Sequence, residues 1–355
     1  MNKQVVIIGG GPAGMAAAGK LQDFGFDVVL IEKQTELGGH LNKWYKVFPD
    51  FTDASEITAN LKSRLGNTRI LTNTTVTEIK GSAPNFEVTT STGEKIAAAG
   101  ILVSTGYKHF DASLKEEYGY GIYDNCINSV ELDAMLKANS VKTTSGKLPQ
   151  KIAIVHCVGS RDEKVNNNYC SRVCCTNAIK VGIEIKEQNP NCEIYCLYMD
   201  IRVFGRGYEE LYRTSQEKFG VQFLRGRLSE ASEKNDGSLL LRLEDTLTAK
   251  PMRLTVDLLV LMVGMEGNTE LAEVAGLNVG CDRFYATAHQ QYFNNTSHRK
   301  GIFLAGAATG PKAIMESITD GRSAAAEIAS FLSNQANFES NLNGQIVEKM
   351  AVSLK

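Results

Sequence analysis

VVIIGGGPAGMAAAGKLQDFGFDVVLIE, residues 5–32, decides the fold. The apolar run Val5–Ile8 reads as a buried parallel strand, and it runs straight into Gly9, Gly11 and Gly14, spaced G-x-G-x-x-G. An Ala-rich helical pattern follows and ends at Gly25. A second apolar strand then stops at Glu32, 18 residues after Gly14. Strand, tight turn, helix, strand and terminal acid together form a dinucleotide-binding unit. The glycines let backbone approach a pyrophosphate, the helix N-terminus offers it free N–H groups, and Glu32 can accept from ribose hydroxyls.

The 355 residues are enough for two cores. With 43% hydrophobic and 22% charged residues and a net charge of −2, nothing points to nucleic acid or an anionic membrane. No apolar run reaches the roughly 18 residues of a spanning helix. The first residues enter a strand without a leader pattern, so the expectation is a cytoplasmic protein with reduced thiols. Eight cysteines are then less a disulfide framework than a sign of a metal or redox site, because four crowd between Cys157 and Cys175.

Three further stretches extend the first unit. KQTELGGHLNKW (33–44) carries the pair Gly38–Gly39. AAAGILVSTGY (97–107) is a strand ending in Ser104-Thr105-Gly106. GIFLAGAATGPKAIMESITDGRSAAAEIASFL (301–332) is a strand, a Gly/Ala loop and a long helix starting near Pro311. Together they resemble flavoproteins with two dinucleotide-binding domains, the thioredoxin-reductase and glutathione-reductase superfamily. The resemblance implies an α/β fold of two Rossmann-like domains, the FAD domain discontinuous (1–145 and 260–335) and a second domain (150–259) inserted into it. It implies FAD contacts from Gly9, Gly11, Gly14, Glu32, Gly39, Thr105, Gly106 and Gly306, with Pro12, Ala13, Lys33, Lys312 and Ala313 beside them. Val76 matches the strand whose backbone meets the adenine. Ala307 stands where the superfamily usually has the Asp that contacts the ribityl chain, so that contact must differ here. The positive N-terminal end of the last helix would favour negative charge on the reduced flavin. KANSVKTTSGKLPQ (137–150) reads as a linker, and 336–355 as a polar tail with at most a short helix.

The second unit opens with KIAIVH (151–156), but a Gly-rich turn does not follow. The chain continues CVGSRDEKVNNNYCSRVCCTNAIK (157–180), where only Gly159 remains. The cradle for a nicotinamide pyrophosphate is missing. In its place stand Cys157, Cys170, Cys174 and Cys175, spaced C-x12-C-x3-C-C, with a helix expected over about 170–188. On that helix Cys170 and Cys174 would share a face. Four buried hydrophobic thiols are the plain alternative, and a vicinal Cys174–Cys175 disulfide would be strained. Zinc and iron–sulfur sites both usually show C-x2-C spacing, so spacing alone leaves the metal open.

The stretch CVGSRDE…YCSRVCCTNAIK, with RVFGRGYEELY (202–212) and GPKAIMESI (310–318), resembles the A-type (HdrA) component of heterodisulfide reductase and its relatives. The similarity extends over about residues 1–330. It implies that the four cysteines hold a 4Fe–4S cluster beside the FAD. It also implies that Lys180 points at flavin N5, the alternative being a solvated helix lysine. The ferredoxin-like C-x2-C-x2-C-x3-C-P segments of the methanogen component are absent. The short form looks like the HdrA-type component of a bacterial sulfur-oxidising heterodisulfide-reductase-like complex or of a quinone-modifying oxidoreductase complex. The expected function is electron relay between flavin and iron–sulfur partners such as subunits B and C, in a homodimer without membrane insertion. An NAD(P)H-dependent disulfide or ferredoxin reductase is the rival, opposed by the missing second fingerprint and missing C-x-x-C. Cys192 and Cys196, on one strand face but ~13 Å apart, are not expected to ligate together. Cys126 and Cys281 read as core or partner-facing thiols.

Overall fold

Two five-stranded parallel sheets organise the chain, each built outward from a central strand. In a computed structural model that describes residues 3–353, with side chains described through 334, the first sheet runs Ile302–Leu304, Gly100–Val103, Gln4–Ile8, Asp27–Ile31, Arg69–Leu71. The second runs Gln222–Arg225, Glu193–Tyr198, Lys151–Val158, Leu258–Val263, Cys126–Asn128. Both sheets are covered on their faces, which is why their central strands read as unbroken Val/Ile/Leu runs. Each sheet has its strand-order reversal beside its central strand, and ligands of such sheets bind at the carboxyl end of that switch. The first switch carries Gly9–Gly14 and the second carries Cys157. Three-stranded antiparallel sheets flank each half, Val76–Ser82 with Asn85–Thr90 and Lys95–Ala98, and Leu228–Glu233 with Leu239–Asp245 and Lys250–Val256.

The helix Pro12–Asp23 packs tightly on the final helix, Ile314–Ser353. Gly321 permits this: a Cβ there would lie 2.1 Å from the carbonyl oxygen of Ala13. Gly14 has the same constraint on its other side, where a Cβ would sit 2.0 Å from the Gly9 oxygen. The Ala-rich sequence of both helices thus reflects close backbone approach.

Three boundaries differ from the sequence reading. The strand Cys126–Asn128 and the helix Ser129–Lys137 after it fall within 1–145, yet the strand pairs with Leu258–Val263 in the second sheet. Leu258–Val263 likewise straddles the 259/260 division. The chain therefore crosses to the second sheet before the polar 137–150 segment and leaves it only after Val263; a three-residue strand is too short to show a period. The last helix starts at Ile314, three residues beyond Pro311, and runs on to Ser353 through the stretch expected to be a tail. No helix among the described residues is long and apolar enough to cross a membrane.

Candidate functional site

At the end of the strand Gln4–Ile8 the chain turns through Gly9, whose φ is +108°. A side chain there would drive into the Ser104 carbonyl. Gly11 caps the helix Pro12–Asp23 in extended conformation, and Pro12 supplies its first turn. A Cβ on Gly11 would meet nothing within 4 Å. No protein atom needs that space, and it opens into a cleft of about 520 Å³. Gly9, Gly11, Pro12, Ala13, Glu32, Lys33, Gly39, Thr105, Gly106, Gly306, Ala307 and Lys312 all line this cleft. Gly14, Val76 and Ala313 do not. Gly14 serves the helix–strand contact, Val76 turns its side chain into the core, and Ala313 lines a separate inner cavity.

Glu32 is held rather than free. Its Oε2 accepts from the Gly10 N–H at 2.7 Å and its Oε1 from the Gln34 N–H at 2.8 Å. Each oxygen keeps a lone pair for a hydroxyl in the cleft. Thr105 and Asn268 pin each other by side chain to carbonyl bonds of 3.3 and 3.1 Å. Below the opposite end of the cleft, the Gly306 N–H donates to Asp320 Oδ2 at 2.7 Å, and Lys312 Nζ bridges the Gly306 carbonyl (3.0 Å) and Asp320 (2.9 Å). Asp320, from the final helix, thus supplies a carboxylate near the loop where Ala307 lacks one.

Sequence reasoning passed over His40, Trp44, Tyr107 and His109, which form one aromatic wall of the cleft. The His40 and His109 ring centroids are 4.5 Å apart, and Tyr107 lies 4.3 Å from His40. Burial pulls both imidazoles below their ordinary pKa, His109 to about 3 with His40 and Lys43 adding to the effect. Burial also raises the Tyr107 phenol. The wall therefore presents neutral rings that can donate or accept hydrogen bonds. The available signal was position: His40 and Tyr107 directly follow Gly39 and Gly106.

The cysteines sit at the second switch. Cys157 sits in a register shift near the end of its strand with φ +60°, a left-handed conformation rare for a side chain of this kind. Its Sγ lies 3.7 Å from that of Cys174. The helix starts at Cys174, not Cys170, because Arg172 at φ +60° breaks the turn before it. Cys170 is therefore in the loop, half-buried, accepting from the Arg172 N–H at 3.3 Å. Cys175 faces the Asp200 carbonyl at 3.6 Å. Among the described residues no three His, Cys, Asp or Glu side chains converge as a metal site. The structure pairs Cys157 and Cys175 each with Cys174 and occupies Cys170 with the Arg172 N–H, rather than converging all four.

Electrostatics favour thiolates in this cluster. The Cys174 thiol, raised by donating to Cys157 and Cys175, holds both of them below the ordinary thiol value. Both thiols lie at a helix N-terminus or beside Arg161, settings that stabilise sulfur anions. His156 is buried between Cys175 and Cys196. Burial opposes its charge, but Cys175 and Cys196 outweigh that and push the imidazole up to about 10.

Lys180 is neither solvated nor directed at the cleft. It is fully buried, and Nζ meets the Lys46 carbonyl at 2.9 Å, Asp133 at 3.1 Å and Glu184 at 3.3 Å. All three donors are used inside the protein. Cys196 is buried against His156, on which Cys175 also acts, Cys192 and Cys126 are buried, and Cys281 is exposed.

An inner cavity of about 70 Å³ lies between the large cleft and Cys174. Trp44, Tyr107, His109, Lys312 and Ile314 line both it and the large cleft, and Val173, Cys174 and Asn177 form its other side.

A family model described as pyridine nucleotide-disulphide oxidoreductase matches residues 3–155 and 187–326. The chain is 32% identical to the first of two A-type iron-sulfur subunits of CoB--CoM heterodisulfide reductase in Methanopyrus kandleri, over 96% of this chain and 66% of that protein. It is also 32% identical to the A-type iron-sulfur subunit of the same enzyme in Methanocaldococcus jannaschii, over 93% and 64%. It thus spans about two thirds of the length of these relatives. Among solved structures, thioredoxin reductase of T. acidophilum aligns with a TM-score of 0.65 at 18% identity, over 92% of this chain and 98% of that one. Thioredoxin reductase of Lactococcus lactis gives 0.65 at 16%, over 94% and 99%. Both likenesses concern the fold.

Proposed function

The chain belongs to the pyridine nucleotide-disulphide oxidoreductase family, and we propose that within it this chain is an electron-transfer protein of the heterodisulfide reductase HdrA kind, holding FAD and a 4Fe–4S cluster. The observation that carries the reading is the inner cavity, whose walls are shared between the cleft and Cys174. FAD supplies two-electron chemistry and the cluster one-electron chemistry, so together they convert one into the other.

The cleft residues fit a dinucleotide, and the thiols supply the donor type of an iron–sulfur cluster without being gathered into a ligand set. The empty volume over Gly11, the two free lone pairs of Glu32 and the backbone at the Pro12 helix start suit a dinucleotide with its pyrophosphate at the turn. Gly39, Thr105, Gly106 and Gly306 shape the cleft, and Lys312 and Ala307 would bound the cofactor there. Cys157, Cys174 and Cys175 would ligate iron from the second switch, and Cys170 would complete the set by a movement of its loop. The same helix N-terminus that holds a pyrophosphate in nicotinamide domains here carries two thiols, which leaves no place for NAD(P)H. His40, Tyr107 and His109 keep the shared wall neutral and exclude bulk water from the path between the centres.

The partners in this reading are heterodisulfide-reductase-like subunits B and C, or equivalent iron–sulfur proteins, in cytoplasmic sulfur metabolism; a quinone-modifying complex would use the same relay. The free chain is a homodimer. Anaerobic mixing with NADH or NADPH tests the choice of reaction. No bleaching of the flavin band by either, with full bleaching by dithionite, is expected; fast bleaching by a nicotinamide would make the chain a self-sufficient reductase instead.

A further inference from the structure

Trp44 is the single tryptophan of the chain, and it stands where the large cleft meets the inner cavity, lining both. Its place is set by the dinucleotide turn. The Gly38 N–H donates to the Gly10 carbonyl at 2.9 Å. The short helical turn Gly39–Asn42 then lies against Gly11, so that a Cβ on Gly39 would come to 3.4 Å from the Gly11 Cα. The Trp44 N–H closes on the Leu41 carbonyl at 3.4 Å. The indole packs on the first core at one edge and against Tyr107, Met265, Phe284 and Ala307 at the other. The Trp44 and His40 ring planes are 13° apart with centroids at 6.2 Å, and Tyr107 lies tilted beside His40. A rigid, partly buried ring is thus held at a fixed offset from the glycine turn.

The order of groups along the cleft fixes which end of a dinucleotide reaches this ring. Glu32 offers its lone pairs to the adenosine ribose, and the backbone at Gly11 and Pro12 takes the pyrophosphate. Glu32 lines the cleft alone, whereas Trp44 lines the cleft and the inner cavity. The flavin half therefore extends away from Glu32, past Gly39 and His40, to Trp44. An oxidised isoalloxazine is planar and electron-poor, and it stacks well on an electron-rich indole. Two added electrons make the same ring electron-rich and bend it, so the contact weakens on reduction. A contact that favours one of two states shifts the equilibrium toward that state.

We propose that the Trp44 indole stacks on the isoalloxazine of bound FAD and holds its reduction equilibrium toward the oxidised form. The proposal rests on the reading of the cleft as an FAD site, and the cysteines take no part in it. In the reaction it biases, FAD takes up two electrons from the reductant and two protons from water to give FADH2. Trp44 gives and takes neither. Its removal makes reduction easier, because only the oxidised state loses a good contact. An aromatic stack lost from one state changes the equilibrium constant about fivefold, or about 20 mV for a two-electron couple.

The test titrates the holo-protein anaerobically with dithionite against a reference dye, in wild type, Trp44→Leu and Trp44→Phe. None of these changes alters charge, so Lys43 and Lys312 in the cleft act alike in all three. Trp44→Leu should raise the reduction equilibrium constant about fivefold, and Trp44→Phe, which keeps a ring, should hold most of the wild-type value. Phe24→Leu, beyond the far end of the helix Pro12–Asp23, should leave it unchanged. Flavin fluorescence gives a second reading on the same samples. An indole in contact quenches flavin emission by electron transfer, and a phenyl ring is too hard to oxidise to do so. Emission should therefore rise severalfold in both Trp44 variants, although only Trp44→Leu shifts the potential. FAD is extracted and counted from each sample. Bound FAD with an unchanged equilibrium constant in Trp44→Leu, an equal shift in Trp44→Phe, or emission that no variant alters overturns the stacking and leaves the cofactor reading standing. A wild-type chain that neither contains nor takes up FAD overturns both.

Discussion

Replacing Lys180 by Met removes the one cation from a buried group of three charges. Lys180 is fully buried, Asp133 and Glu184 are almost so, and the Nζ distances are 3.1 and 3.3 Å. Breaking such a group costs about 3–5 kcal/mol, because two carboxylates are left without a counter-charge. In a chain of 355 residues that corresponds to a fall in Tm of about 4–7 °C. The loss depends on pH. Burial raises Glu184 from 4.5 to about 7, with Lys180 opposing the rise and Asp133 adding to it. The folded state therefore binds more protons than the unfolded one across that window, and stability falls as pH rises through it. Without Lys180 both carboxyl groups climb further and the window extends upward, so the variant should lose more at pH 8 than at pH 6. Urea unfolding followed by circular dichroism at the two pH values reads this directly, and the flavin spectrum should stay that of wild type. A loss below about 1 kcal/mol at pH 8, or a larger loss at pH 6, would refute the ion-triad argument. A displaced flavin band would return Lys180 to the flavin.

Gly11→Val should fold, since a Cβ there meets no protein atom within 4 Å, and should purify without yellow colour because the branched side chain fills the pyrophosphate space. Asp162→Ala removes one of two carboxylates from buried Lys115, which keeps Glu117 at 2.7 Å, and should cost about 1–3 kcal/mol in denaturant melts. Light scattering at low micromolar concentration should give twice the chain mass of 38.7 kDa; the single mass would count against the dimer.

The first sheet was legible because its Gly-rich turn, helix pattern and terminal Glu32 are contiguous within 28 residues. Most of the cleft followed, since glycines at fixed offsets place backbone near the ligand. What stayed hidden was convergence between distant segments. His40 Nε2 donates to the Tyr107 carbonyl across 67 positions, and no local period records that. Lys180 on a helix face says nothing of Asp133 on another helix 47 residues earlier. Cys170 reads as helical because the C-x3-C spacing fits a turn, but the left-handed Arg172 puts it on the loop. Asp320 was invisible because it acts from the next helix on an N–H in a Gly/Ala loop.

The central claim is that the cysteines at the second switch hold an iron–sulfur cluster beside the flavin. Metal, sulfide and flavin analysis of anaerobically prepared protein, with Cys157→Ser, Cys170→Ser, Cys174→Ser, Cys175→Ser and Cys192→Ser in parallel, tests it most directly. About four iron and about four sulfide per chain are expected with one FAD, and a broad shoulder near about 400 nm. Each of the first four variants should lose or destabilise the iron, because a hydroxyl is a poorer ligand than a thiolate, and should keep FAD. Cys192→Ser should keep both. Zinc in place of iron, or unchanged iron in Cys157→Ser, Cys170→Ser and Cys174→Ser alike, would contradict the cluster and with it the electron relay.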